Sequence, residues 1–336
     1  MGTDKMKRSL YKTIRIILFI SIFMAIMRLM NYCLVQSNWA SIDRWEQYSK
    51  KDEIDTLFVG SSVGWVVVPR VIDENNGFIS ANMSTPNQFY KTSNETVRFI
   101  STRQPLKRVV LLTGFEGLEN PEDYVAAEAF ITAQYETAPM VVRESAIFAE
   151  KIGRYTDPKF LTSTDSMNIW FDWVEGFTYS FPEIIKNIGY RNGRRNKPYT
   201  LDITERYERL NAAVPGAATD EDIRRAADLN LLSLDIDVRT LKILDDMASY
   251  LAANDIRFTV IVTPHRSDVG AGYGGEYETI DAFFKDFVTK RGGEYYNIDA
   301  DPDLRAQLPD EMFKDEEHIV DEGNNTVSMK IAELLR

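Results

Sequence analysis

Cysteine and histidine are the residues that this sequence has least of. Cys33 is the only cysteine among 336 residues, so the chain can form no internal disulfide and no thiolate metal cluster. The only histidines are His265 and His318, and two histidines among scattered carboxylates predict no metal site. Nothing in the sequence predicts a cofactor. Any histidine that serves as a catalytic base must therefore be one of these two.

Basic residues are outnumbered by acidic ones. The chain has 39 Lys and Arg against 51 Asp and Glu, and the resulting net charge of -12 argues against general nucleic-acid binding. The charge is uneven, because residues 1–36 carry six basic side chains and one acidic one. A basic end on an acidic body indicates that the first residues lie at the cytoplasmic face of a membrane.

Residues 13–36 predict a transmembrane helix, since about 20 apolar residues suffice to cross a bilayer. Arg28 interrupts the run near its outer end, where a long side chain can reach the headgroups. The basic flank precedes the run, so we expect a single-pass cell-membrane protein with a cytoplasmic N-terminus and an extracytoplasmic C-terminal domain. A cleaved signal peptide and a buried core helix are the alternatives; no small-x-small cleavage site follows Val35.

After this segment, strand-like and helix-like patterns alternate, which predicts a three-layer α/β/α fold of flavodoxin-like type with a mostly parallel sheet. We assign residues 1–12 to a basic arm, 37–52 to a connector and 53–336 to the folded domain. The predicted strands cover residues 54–59, 77–81, 108–113, 257–263 and 294–298. The predicted helices cover residues 87–100, 237–254, 277–291 and 322–335, with a further helix over 121–130.

Residues 131–235 fit this alternation poorly and are interpreted as an insertion of helices and loops. The segment is aromatic around Trp170 and Trp173 and then basic over 186–197. A packing face for the insertion is the simpler interpretation of the aromatic residues. A lid or groove for a sugar chain is the functional alternative.

Ligands of open parallel sheets bind at the carboxyl ends of the strands. Ser62 follows the first predicted strand, and Asp315 and His318 precede the last predicted helix. A serine hydroxyl needs an adjacent base, and the base needs an orienting partner. We therefore predict Ser62 as nucleophile, His318 as base and Asp315, three residues earlier, as the group that orients the imidazole.

This layout resembles the SGNH/GDSL hydrolase superfamily over residues 53–336. The first block of that family is a Gly-Asp-Ser-type turn, here Gly60-Ser61-Ser62, and its last block is Asp-x-x-His, here Asp315 to His318. With the N-terminal anchor, the chain looks most similar to membrane-anchored members, such as the DltD-like proteins and the acetyltransferase-like proteins that modify bacterial cell-surface polysaccharides.

The resemblance also implies oxyanion donors, namely the N–H of Ser62 and donors of the second block, where Asn82 and Ser84 stand. Glu116 occupies the position of the family's third-block asparagine, and an ionised carboxylate cannot stabilise an oxyanion. Another donor must then serve, with Asn82 and Asn87 as candidates. We list His265, Glu116 and Asn87 as candidate substrate-binding residues.

The predicted function is an extracytoplasmic serine esterase or O-acyltransferase that acts on acyl esters of cell-surface glycopolymers through an acyl-serine intermediate. The resemblance implies a glycopolymer or acyl donor as substrate and a membrane-bound O-acyltransferase as partner. One alternative is a catalytically degenerate member that binds or scaffolds an envelope polysaccharide-modification complex. Another is a polysaccharide-binding module that uses the aromatic and basic region.

Overall fold

The computed structural model describes residues 2–34, 44–45, 47–86, 88, 90–118, 181–182, 184–185, 238–267, 269 and 276–336. The chain divides into two compact units, Met1–Ser37 with Glu144–Thr200, and Asn38–Arg143 with Leu201–Arg336. The predicted helix over 121–130 lies outside the described residues, as does nearly all of the predicted insertion over 131–235. Asn87 lies outside them too.

In the first unit, helix α1 comprises Gly2–Leu34 and covers the predicted arm and most of the predicted span. Large apolar side chains are exposed along it, among them Ile17, Phe19 and Phe23. No helix within the described ranges is both long and apolar enough to cross a membrane. The transmembrane helix therefore stays a prediction.

The second unit is built on a parallel sheet, as predicted. In its described part, the sheet has five strands in the order β2-β1-β3-β4-β5, and every neighbouring pair is parallel. The strands are β1 (Thr56–Gly60), β2 (Ser80–Asn82), β3 (Arg108–Thr113), β4 (Arg257–Val262) and β5 (Glu294–Asn297). Only β2 departs clearly from its predicted bounds. Gly77, expected to start it, instead caps the preceding helix in the left-handed conformation.

Helices cover both faces of the sheet. Along β1, Leu57 and Val59 belong to one core and Phe58 to the other, as the two-residue period of a strand requires. The first core contains side chains of α3 (Tyr90–Ser101), α4 (Val238–Ala253) and α5 (Glu276–Thr289). The second contains side chains of α2 (Pro69–Asn76), α6 (Pro302–Arg305) and α7 (Asp321–Leu334). The unit is thus a three-layer α/β/α structure.

The strand order places a crevice where the site was predicted. After β1, the chain forms β2 on one side and then crosses to β3 on the other. Such a reversal opens a crevice at the carboxyl ends of the two strands that flank it. Ser62 follows β1 and Glu116 follows β3, so both residues lie at this edge.

Gly60, the last residue of β1, allows the two central strands to approach closely. Its φ is +148°, a conformation that residues with a Cβ rarely adopt. Gly60 pairs in register with Leu112, and a Cβ at position 60 would overlap the carbonyl oxygen of Leu112. The backbone oxygen cannot move aside without disturbing β3. Glycine is therefore required at this position.

We expect Gly60→Ala to lower the free energy of unfolding by about 2–4 kcal/mol, because it adds backbone strain and a clash with a buried strand. Gly77→Ala is the matched control. Gly77 also has a positive φ, of 69°, but its Cβ would meet nothing within 4 Å, so we expect a loss of only about 1 kcal/mol. Chemical denaturation of the full chain measures both values. Equal losses of unfolding free energy in the two variants would contradict the predicted clash between residue 60 and the Leu112 carbonyl.

Candidate active site

Ser62 opens a short 3-10 helix, Ser62–Val66, directly after β1. Ser61 precedes it in an extended conformation, and the first internal bond runs from the Gly64 N–H to the Ser61 carbonyl at 3.0 Å. The N–H groups of Ser62 and Val63 come before that bond, so the helix offers them no acceptor. The turn thus presents a half-buried serine hydroxyl beside two backbone donors.

Asn82 holds this turn in place. Its Nδ2 donates to the carbonyl oxygens of Gly64 and Val67 at 2.9 and 3.0 Å. Its Oδ1 accepts the backbone N–H of Ser84 at 2.9 Å. The amide of Asn82 and the N–H of Ser84 are therefore both engaged, which argues against the oxyanion role predicted for them. Of the predicted donors that the structure describes, the N–H of Ser62 remains, and Asn87 lies outside the described residues.

The candidate base lies in the loop before α7. His318 Nδ1 is 2.8 Å from both carboxylate oxygens of Asp315, and the His318 backbone N–H donates to Asp315 Oδ1 at 2.8 Å. The Glu317 N–H donates to the same oxygen at 3.1 Å. Asp315 thus fixes the loop and the imidazole together. Nδ1 faces the carboxylate, so Nε2 is the nitrogen left to accept a proton.

The charges around this pair make His318 a stronger base than a free imidazole. Burial lowers the pKa of His318, but the hydrogen bond and charge of Asp315, with the charge of Glu317, raise it above its usual value despite nearby Lys314. Burial raises the pKa of Asp315, but the bonds it accepts and the imidazolium bring it below its usual value. The carboxylate therefore stays ionised and stabilises the imidazolium form.

Trp65 brings the two halves of the predicted triad into one neighbourhood. It lies on the same 3-10 helix as Ser62, and its ring centroid is 6.2 Å from that of His318. Among the described residues, no hydrogen bond joins the Ser62 hydroxyl to His318. Catalytic hydrogen bonds are often long in free enzymes and shorten when substrate binds. The fold thus places the loop that carries His318 next to the turn that carries Ser62, but the two side chains are not hydrogen-bonded to each other.

His265 lies under this edge and is buried. The residue is only 4% exposed, which argues against the predicted substrate contact. Nδ1 is 3.7 Å from Asp299 Oδ1, and Nε2 is 3.9 Å from Glu116 Oε2. Burial opposes protonation of the ring, but Asp299, Glu116 and Glu317 together raise its pKa to about 9. Glu116, which follows β3, thus lies next to a buried histidine that follows β4.

The cavity found beside the site has a volume of about 320 Å³. Trp65 and Asn82 line it together with Tyr48, Lys51 and Arg70. Ser62, Asp315 and His318 are not among its lining residues within the described part of the chain. Trp65, which also contacts His318, therefore connects the cavity to the candidate site.

Three residues of the site were not singled out from the sequence: Trp65, Asp299 and Glu317. Asp299 comes two residues after β5, so the rule that ligands bind at strand ends could have found it. Glu317 directly precedes His318 and could have been considered with it. No signal pointed to Trp65, because an aromatic residue after a strand is most often part of the core.

The fold and site define a doubly wound α/β protein with an Asp–His pair beside a serine turn. No protein-family model matches the chain, and no curated protein sequence matches it. Among solved structures, it is similar to a protein from Bacteroides fragilis provisionally assigned as an acylhydrolase, with 12% identity and a TM-score of 0.37. That match covers 89% of this chain and 99% of the other. A likeness this distant supports no assignment of activity.

Because the chain has only two histidines, the role of Asp315 can be tested by NMR with histidine-selective labelling. We expect Asp315→Asn to lower the pKa of His318, since it removes the negative charge that favours the imidazolium. The pKa of His265, which has other carboxylate neighbours, should change little and is the internal control. A wild-type His318 pKa at or below 6.5, or no change in the variant, would contradict the assignment.

Proposed function

We propose that this protein is a membrane-anchored, extracytoplasmic serine esterase or O-acyltransferase that acts on acyl esters of cell-surface glycopolymers. The observation that carries the proposal is the Asp315–His318 pair, with Nδ1 2.8 Å from the carboxylate and the ring against Trp65 of the serine turn. An oriented imidazole beside a strand-end serine is what a serine nucleophile needs.

In the proposed reaction, the Ser62 hydroxyl oxygen attacks the ester carbonyl while His318 Nε2 takes the hydroxyl proton. Asp315 holds the imidazolium in place. The N–H groups of Ser62 and Val63 are the donors available to the oxyanion. His318 then gives its proton to the departing alcohol oxygen, which leaves an acyl-serine.

Water or a sugar hydroxyl completes the cycle. The acceptor oxygen attacks the acyl-serine carbonyl, and His318 takes the acceptor's proton. When the tetrahedral intermediate collapses, the bond to Ser62 breaks and His318 returns the proton to the serine oxygen. Hydrolysis and acyl transfer differ only in the acceptor. A membrane anchor favours an acceptor attached to the envelope, and the partner we propose is a membrane-bound O-acyltransferase that supplies the acyl group.

A catalytically degenerate scaffold is the second candidate. It is favoured by the lack of a hydrogen bond between Ser62 and His318 among the described residues. The engagement of Asn82 and Ser84 in the turn also favours it. In this case, the surface around the site would bind partners of an envelope complex without turnover. Replacement of Ser62 would then leave the cellular phenotype unchanged, whereas loss of the protein would not.

A fluorophosphonate probe, which reacts with activated serines, tests the mechanism on the full chain in detergent. We expect the wild type to be labelled and Ser62→Ala not to be. Ser61→Ala is the matched control and should be labelled like the wild type. His318→Gln should slow labelling by about 100-fold or more, because the base is lost. An unlabelled wild type, or equal labelling of Ser62→Ala, would contradict the enzyme and favour the scaffold.

Membrane attachment through α1 is supported by the basic residues before its apolar run and by its exposed large apolar side chains. We expect the protein to remain in the membrane fraction after washing with high salt and carbonate. Ile20→Lys together with Phe23→Lys should release it, since a charge at a helix centre costs about 2.5–3.5 kcal/mol on insertion.

Ile79→Lys is the control for that experiment, because Ile79 is about as exposed but lies in the second unit. It should leave the membrane fraction unchanged. A wild-type protein that salt alone releases would contradict attachment through α1.

A further inference from the structure

Three potential metal ligands from distant parts of the chain meet beside the candidate active site. Glu116 follows β3, His265 follows β4, and Glu317 belongs to the loop that carries His318. One ligand atom from each lies within 4.8 Å of the other two. The sequence predicted no metal site because these residues are about 150 and 50 positions apart, which matches no ligand spacing.

The state of His265 indicates that this is more than a cluster of acidic residues. Its side chain is 95% buried, and neither ring nitrogen has a hydrogen-bond partner. A buried polar group without a partner is costly, so such groups in folded proteins usually have a ligand or a water. Nε2 points toward Glu116, with 3.9 Å between Nε2 and Oε2.

A carboxylate lies on the other side of the ring, just beyond hydrogen-bond distance. Nδ1 faces Asp299 Oδ1 at 3.7 Å. Asp299 is itself fixed by the Arg305 guanidinium and by the Tyr277 hydroxyl, which donates to Oδ2 at 2.6 Å. Histidines that bind metals commonly donate their second N–H to a carboxylate, which fixes the tautomer and orients the ring.

We propose that Glu116 Oε, His265 Nε2 and Glu317 Oε bind one divalent cation, with Zn²⁺ or Mn²⁺ as the ions that this donor set suits. Binding of the ion releases the ring proton of His265, and two carboxylates with a neutral imidazole then balance the charge of the ion. In a tetrahedral zinc site, ligand atoms lie about 3.4 Å apart, so side-chain rotations would close the present spacing. The Glu116 side chain is 30% exposed, which leaves the ion a path from solvent.

This site goes beyond the proposed function, since its occupancy does not depend on a reaction at Ser62. Its position gives it a structural consequence. Glu317 adjoins His318, and the carbonyl of Glu316 accepts the N–H of Arg266 at 2.9 Å. A cation at the cluster would tie the ends of β3 and β4 to the loop that carries the candidate base.

Binding is measured on the full chain in detergent without a polyhistidine tag, which would itself bind these ions. After removal of metal with EDTA, we expect isothermal titration with ZnCl₂ or MnCl₂, in 150 mM NaCl and 1 mM MgCl₂, to give one site. Elemental analysis after dialysis should give one equivalent of the ion. We also expect the ion to raise the melting temperature.

Glu317→Gln and Glu116→Gln keep the side-chain size and remove one anionic ligand each, so we expect each to weaken binding at least 10-fold. Glu316→Gln, one position away and outside the cluster, is the matched control and should bind like the wild type.

Gly114→Ala is a further variant. A Cβ there would overlap the Glu116 carboxylate, which must then move, and binding should weaken.

The proposal is overturned if the stripped wild type binds neither ion, or if Glu317→Gln and Glu116→Gln both bind like Glu316→Gln. Circular dichroism of each variant shows whether it is folded, and folded Gln variants that bind normally count against the site. Probe labelling of Ser62 is recorded on the same samples. Loss of metal binding with unchanged labelling would leave the proposed enzyme in place, so the two failures are distinguishable.

Discussion

The close approach of β1 to β3 is the constraint on which the rest of the second unit depends. It requires glycine at position 60, since a larger residue would overlap the Leu112 carbonyl. Directly after β1, the chain enters the 3-10 helix that carries Ser62. The crevice between the ends of β1 and β3 then faces the loop before α7. The pairing of β1 with β3 thus places the ends of both strands, and with them Ser62 and Glu116, at the same edge of the sheet.

The fold could be predicted from sequence because its signals are local. The alternation of short apolar strands with amphipathic helices indicated the parallel sheet, and the predicted strand at 108–113 matches β3. The contact between Asp315 and His318 could also be predicted from sequence, because they are three positions apart and one turn brings them together. The β2 prediction began too early, since Gly77 suits a helix cap as well as a strand start.

Contacts between distant residues could not be predicted, because no local pattern encodes them. Asn82 was expected to face the substrate, but its amide bonds to the carbonyls of Gly64 and Val67 instead. His265 was expected to be accessible at a strand end and is buried between Asp299 and Glu116. In both cases the sequence indicated the correct edge of the sheet, whereas packing decided which groups face solvent there.

The hydroxyl of Ser328 in α7 has a consequence for how the protein assembles. It donates to the carbonyl of Val66 and accepts the N–H of Val68, both at 2.9 Å, across 262 and 260 residues of chain. During synthesis, the serine turn leaves the ribosome early, but the hydrogen bonds to Ser328 can form only after α7 has been made. A nascent or truncated chain would carry Ser62 on an incompletely fixed turn. The serine turn of the candidate site thus reaches its full set of hydrogen bonds only once α7 has been made and packs against it.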